Sequence, residues 1–318
     1  NFRTTRGIVR SRPDPMPVLR PASSFLKHVL QVRPTWRSRD VDIAEITVAI
    51  SNSVFRVSCG KEKVLLRIYG PTAHGIFRRD DEVRRARYVA GCGFGPQVLL
   101  NFDEGRVEEW LEGRAPSHEE IRSDEAIERI ARKLRSFHDR TGLNHNDLHH
   151  NNMLISGGDL QFLDFEYSGD LDPAYDIANH FNEWMYPYCG PDPHLYQLQL
   201  FPSLSQRRRF CAHYLGGSKG KGDLVDDFLQ EVERRQQDSH AFWVRWAESS
   251  PSEFNTKYGM ARKQLLRGAV DLTTSAGRVP PLVEAVEPEK VANGFGGIAE
   301  TFNSFLQAPQ MGIKPANL

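Results

Sequence analysis

The chain has 318 residues, with 41 Lys plus Arg against 41 Asp plus Glu, so its formal net charge is zero. A chain of this length buries roughly three quarters of its extended surface and has room for two packed units, which excludes a peptide or a stapled mini-domain. The charge balance gives no pull toward nucleic acid or an anionic membrane, and no apolar run reaches the roughly 18 residues that a bilayer span needs, so neither nucleic acid nor stable membrane insertion is expected.

Residues 1–25 mix Pro, Arg and Ser and are expected to form an extended arm. Residues 26–111 suit a strand-rich unit. Ile43–Ile50, Val54–Val57 and Val64–Tyr69 are short β-rich runs broken at Cys59-Gly60-Lys61, the pattern of an antiparallel sheet with hairpins. Residues 80–90 put Val83, Ala86 and Val89 or Ala90 on one helical face, ended by the glycines at 91, 93 and 95 and by Pro96. Gln97–Leu100 and Val107–Leu111 supply two more strands.

Residues 112–270 read as a second, mostly helical unit. Glu112–Pro116 is a linker, Ser117 with Glu120 makes a capping box, and Ile127, Ile130, Ala131, Leu134 and Phe137 mark a helix with one buried stripe. Short strands are expected at Met153–Ile155 and Gln161–Leu163. Residues 271–318 are Gly- and Pro-rich and aperiodic, an extension without an assigned role. The fold class is α+β: two lobes with a cleft between them. Four scattered cysteines, Cys59, Cys92, Cys189 and Cys211, contain no CxxC pair and read as the reduced thiols of a cytoplasmic protein.

The chemistry concentrates in one segment. Asn144-His145-Asn146-Asp147 is followed by Asn152, five residues after Asp147, and by Asp164-Phe165-Glu166 across the Gly157-Gly158 turn. A polar turn explains any one of these residues, but not the three at these spacings. They suit phosphoryl transfer from ATP to an alcohol: Asp147 orients the hydroxyl and accepts its proton, while Asn152 and Asp164 hold Mg²⁺ through hard oxygen ligands. His145, His149 and His150 lack the thiol or third imidazole of a zinc site. His145 reads as a packed brace of the catalytic loop, and His149 and His150 as cleft-entrance residues without a chemical duty. In the front lobe, Arg67 is a single cation in an apolar strand, and Glu82 begins the next helix at a separation that suits an ion pair holding Arg67 toward the phosphates.

With these residues in view the sequence resembles the choline/ethanolamine kinase family, relatives of the protein kinases and aminoglycoside phosphotransferases. The resemblance rests on Ile50-Ser-Asn-Ser-Val-Phe, Val64-Leu-Leu-Arg-Ile-Tyr-Gly70, Gly95-Pro96, Gly105-Arg-Val-Glu-Glu109 and His145-Asn-Asp-Leu. It continues through Leu163-Asp-Phe-Glu-Tyr167, Tyr175-Asp-Ile-Ala-Asn-His-Phe181 and Trp243-x-x-Trp246, covering residues 35 to 267. It implies a bilobal protein-kinase-like fold and a choline kinase: ATP plus choline gives phosphocholine and ADP, the first step of the nucleotide-activated route to phosphatidylcholine. The implied nucleotide contacts are Ser51, Asn52, Arg67, Glu82 and Glu109, with Asp176 bracing the catalytic loop, and a homodimer is compatible with the resemblance. Two features depart from the family. Val48-Ala49 stands where members have a glycine pair, and only Asp139 to Asn144 stand where they carry several dozen residues. Both departures predict further residues at these places in the natural polypeptide.

A quaternary ammonium donates no hydrogen bond, so its recognition relies on aromatic faces and a nearby negative charge. Glu183, Trp184, Tyr186 and Tyr188 form one such cluster and Trp243, Trp246 and Tyr258 another, about fifty residues on, and in the family the positions matching Glu183, Tyr188, Trp243, Trp246 and Tyr258 line the choline site. Singly, each aromatic fits a core. Together with the phosphotransfer segment they favour choline, with ethanolamine as the alternative acceptor and a catalytically impaired binding or scaffold protein as the alternative class.

Overall fold

The computed structural model describes residues 21–48, 52–70, 79–217, 222–249 and 252–266. Residues 1–20, Ser51 and 271–318, which carry expectations above, lie outside them. The end of the expected arm differs from its reading. A 3₁₀ turn, Ala22–Phe25, and helix α1 (Leu26–Val32) lay Ala22, Phe25 and Val29 on the sheet. Their i, i+3, i+7 spacing is a helical stripe that the Pro- and Arg-rich composition before it masks.

Strands β1 (Asp42–Val48), β2 (Asn52–Cys59) and β3 (Glu62–Tyr69) follow as an antiparallel meander. Gly60, at φ +60°, supplies the left-handed backbone of a two-residue hairpin that pairs Cys59 with Glu62. Helix α2 (Arg79–Gly91) then crosses to β4 (Val98–Phe102) and β5 (Gly105–Glu109), and β5 inserts beside β3 to give the order β1-β2-β3-β5-β4. On β3, Val64, Leu66 and Ile68 are buried with Phe25 and Val29, while Leu65 and Arg67 turn to the other face, which lines a cleft. The period of two therefore separates core from site within one strand.

Ser117 and Glu120 do exchange the two bonds of a capping box: Glu120 N–H donates to Ser117 Oγ at 3.0 Å, and Ser117 N–H to Glu120 Oε2 at 2.7 Å. They close a 3₁₀ turn, Glu120–Arg122, one step ahead of helix α3 (Asp124–Thr141), whose own cap is Ser123, accepting from Ala126 N–H. The stripe from Ile127 to Phe137 is buried. Gly142, at φ +65°, ends the helix by donating to His138 O at 2.9 Å, and the chain enters β6 (Leu143–Asn144) directly. A hairpin of β7 (Met153–Ser156) and β8 (Asp159–Phe162) follows, and β9 (Gly169–Asp170) pairs with β6.

Helix α4 (Pro173–Glu183) begins with Asp172 as cap and proline in the first turn, and is buried on all sides from Ala174 to Glu183. Helices α5 (Leu204–Tyr214), α6 (Gly222–Ser249) and α7 (Glu253–Leu266) complete the lobe, α6 packing on both α4 and α7. The result is bilobal α+β, strand-rich in front and helical behind, consistent with a protein-kinase-like fold. No helix among the described residues is long and apolar enough to cross a membrane.

Candidate active site

The loop 145–152 leaves β6 and is bound along its backbone by one face of α4. Asp176 accepts from the backbone N–H groups of His145 (2.7 Å) and Asn146 (2.8 Å), and from His138 Nε2 at 2.8 Å. Asn179 Nδ2 donates to Asn146 O at 3.0 Å, and His180 Nδ1 to Leu148 O at 2.8 Å. Residues 176, 179, 180 and 183 share a helical face, so the same helix that anchors the loop carries Glu183 one turn further on. His145 is fully buried, with Nε2 donating to Leu163 O and Nδ1 accepting from Asp147 N–H. Its ring thus ties the loop to the segment that delivers Asp164.

Asp147 and Asn152 meet: Asn152 Nδ2 donates to Asp147 O and Oδ2, both at 2.9 Å, which leaves Asn152 Oδ1 as the acceptor of that amide. Burial drives the Asp147 carboxyl well above its ordinary range, the negative charges of Glu183, Asp164 and Glu166 push it further, and the bond from Asn152 partly opposes them. Glu166 is pushed up to about 8 by burial and by Asp164 and Glu82. Burial is the larger cause for both carboxyls, and the mutual repulsion of the acidic groups adds to it. Asn152 Oδ1, Asp164 and Glu166 offer hard oxygen atoms of the kind Mg²⁺ takes, while no three acidic, histidine or cysteine side chains among the described residues are grouped so as to hold a metal ion. Glu166, two residues after Asp164 in the sequence, lines the same cleft and was not among the expected site residues. Among the described residues the non-glycine positions with positive φ are Asn146, Asp164 and Tyr188, all at this site.

A cleft of about 900 Å³ lies beside these groups. Ile46, Val54 and Leu65 line it from the sheet and Leu154 and Leu163 from the back lobe, an apolar slot that the polar side chains of Arg67, Asp164 and Glu166 also line. Glu109 also lines it, its Oε2 accepting from Gln97 N–H at 3.4 Å, and Asn52 Oδ1 accepts from Arg79. The expected Arg67–Glu82 pair is not formed. Glu82 instead accepts from Arg106 Nη1 at 2.6 Å, and Arg106 Nε donates to Glu108 Oε1 at 2.8 Å. Arg67 reaches Glu108 Oε2 at 3.4 Å, and its Nη1 lies 3.8 Å from Asp164 Oδ2. Arg67 and Arg106 are direct partners across β3 and β5, so they share a face, and Glu82 on α2 takes the arginine from the strand nearer that helix. Arg67 is left to bridge the front lobe and Asp164.

The two aromatic clusters come together. The rings of Trp243 and Trp246 lie 5.4 Å apart at 73°, and Tyr258 stands 6.3 and 6.2 Å from them, nearly perpendicular to both. Trp243 Nε1 donates to Asn179 Oδ1, tying this wall to the loop anchor. Tyr188 O–H donates to Glu183 Oε2 at 2.6 Å. Tyr186 of the first cluster stands 5.4 Å from Tyr258, Tyr167 joins unforeseen at 5.1 Å from Trp243, and Trp184 packs instead in the core of the back lobe. Also unforeseen is Arg262. It is fully buried, pairs through Nη2 with Glu183 Oε1, donates to Tyr258 Oη and His240 Nδ1, and lies over the Tyr186 ring at 4.4 Å.

The family model for Choline/ethanolamine kinase matches residues 43–142 and 139–267. A probable choline kinase of Arabidopsis thaliana is 30% identical, the alignment covering 70% of this chain and 84% of the relative. A choline/ethanolamine kinase of Homo sapiens is 25% identical over 80% and 88%. Among solved structures, a choline kinase of Cryptosporidium parvum superposes with a TM-score of 0.68 at 18% identity, covering 77% of this chain and 94% of that one. An ethanolamine kinase of Plasmodium vivax gives 0.65 at 20%, covering 77% and 90%. These two show the shared fold.

Proposed function

The chain belongs to the choline/ethanolamine kinase family, and on that premise we propose that it transfers the γ-phosphoryl group of ATP to the hydroxyl of choline. The apolar slot would take ATP with Arg67 at its phosphates, and Asn152, Asp164 and Glu166 would hold Mg²⁺, which would supply charge neutralisation at the phosphates. Asp147 accepts the hydroxyl proton as the new oxygen–phosphorus bond forms. Its burial leaves it a stronger base than an exposed aspartate.

The observation that carries choline over ethanolamine is the aromatic wall of Trp243, Trp246 and Tyr258 around a glutamate whose two oxygens are already engaged by Tyr188 and Arg262. Aromatic faces attract a methylated ammonium without requiring hydrogen bonds from it, whereas a primary ammonium needs acceptors. Steady-state ADP release with ATP and Mg²⁺ tests the reading, comparing choline, ethanolamine, an aminoglycoside and a peptide. Choline is expected to give the highest kcat/KM. No rate above the ATPase background with choline defeats the assignment, and a higher value with ethanolamine moves it to the primary amine.

Trp246→Ala tests the wall itself. Loss of its cation–π contribution, about 1–2 kcal/mol, is expected to raise the choline KM roughly 5- to 30-fold while the ATP KM changes little. Equal changes in both constants argue for packing alone.

A further inference from the structure

His149 lines the cleft beside Asp147, where its ring is held in a fixed orientation. Its Nδ1 accepts from Asn151 N–H at 3.2 Å, so the proton of the neutral ring sits on Nε2. Nε2 lies 3.7 Å from Asp147 Oδ2. That is too long for a hydrogen bond between them. It is the separation of two groups that each stand about 2.8 Å from one shared oxygen at a near-right angle. The Tyr188 ring, 5.1 Å away and inclined at 53°, backs the imidazole, and Tyr188 O–H is tied to Glu183. His149 therefore stands between the proton acceptor and the wall that holds the other end of the substrate.

An alcohol oxygen has one proton and two lone pairs. With Asp147 accepting the proton, the oxygen still turns about that bond, and the lone pair needed for attack is unaimed. We propose that His149 Nε2–H donates to the acceptor oxygen, fixing one lone pair so that the other points at the γ-phosphorus. In the step the hydroxyl proton passes to Asp147, the oxygen–phosphorus bond forms, and the bond from phosphorus to the bridging oxygen breaks with ADP leaving. His149 keeps its proton throughout. The role rests on the reading of the site as an alcohol phosphotransferase.

The experiment compares His149→Leu and His149→Gln with the unaltered protein, measuring ADP and phosphocholine separately along with the melting temperature. His149→Leu is expected to lower kcat for phosphocholine about 10- to 100-fold through misaimed attack. The ATP KM stays within about twofold, and ADP release exceeds phosphocholine as water replaces the alcohol. His149→Gln, whose amide N–H can donate, is expected to recover most of the rate. An unaltered kcat in the Leu variant overturns the role, as does a Gln variant that falls as far as Leu at the same melting temperature, which assigns the effect to packing. Absence of phosphocholine from the unaltered protein overturns the proposed activity itself, and this role with it.

Discussion

Asp147→Ala is expected to lower kcat by about 10²- to 10⁴-fold, the range for removing a positioned proton acceptor, with little change in the ATP KM. The fold is expected to tolerate the change or gain from it. Burial and the charges of Glu183, Asp164 and Glu166 drive the native Asp147 carboxyl upward, so the folded state holds its ionised form at a cost relative to the unfolded chain. Sign and window follow from that shift: the native state binds the proton more tightly, so this residue's contribution to stability is full below the ordinary carboxylate range and is lost as pH rises through the native value. At neutral pH, deletion of the carboxylate removes a penalty. Turnover assays and thermal melts on one preparation decide the matter. A variant that loses turnover and melts at or above the unaltered temperature ties Asp147 to chemistry, while retained turnover removes it from the mechanism.

The largest effect on stability is expected from Arg262. Its guanidinium and the Glu183 carboxylate are both almost wholly out of water, so removal of either leaves the other charged and unpaired. Arg262→Met is expected to cost about 3–5 kcal/mol in denaturant unfolding, the range for breaking a buried ion pair. Glu183→Gln strands the arginine in turn. The double variant Arg262→Met/Glu183→Gln is expected to cost less than the sum of the two single changes, since neither charge then remains. Strict additivity in the cycle counts against the pair as the organising contact of the wall. His240 takes part as a neutral acceptor, held well below its ordinary value by burial and by Arg262 itself.

Much of the site was legible because its residues sit at short, fixed separations. Asp147, Asn152 and Asp164 lie on one loop and the hairpin that follows it, where sequence spacing translates into spatial spacing. Arg67 and Glu82 were legible singly but not as partners, because the register of β3 against β5 decides which arginine meets α2, and Arg106 lies 39 positions beyond Arg67 in the chain. Arg262 was hidden for a different reason. Four residues after Tyr258 it shares that residue's helical face, but an arginine is ordinarily assigned to solvent, and only the packing of α7 on α6 shows that face turned inward. The helical stripe of Ala22, Phe25 and Val29 was visible in principle, at a boundary where prolines dominate the composition. His149 was visible as a residue and not as a contact.

Helix α4 is also a ruler. Asp176, Asn179 and His180 hold the backbone of the loop that carries Asp147, and Glu183 holds Tyr188 and Arg262 of the wall, so loop and wall are both set against one rod. From 176 to 183 that rod spans about 10 Å at the helical rise. The distance between loop and wall is thereby set by the rise of a buried helix, and a change that shifts the helix moves both marks together.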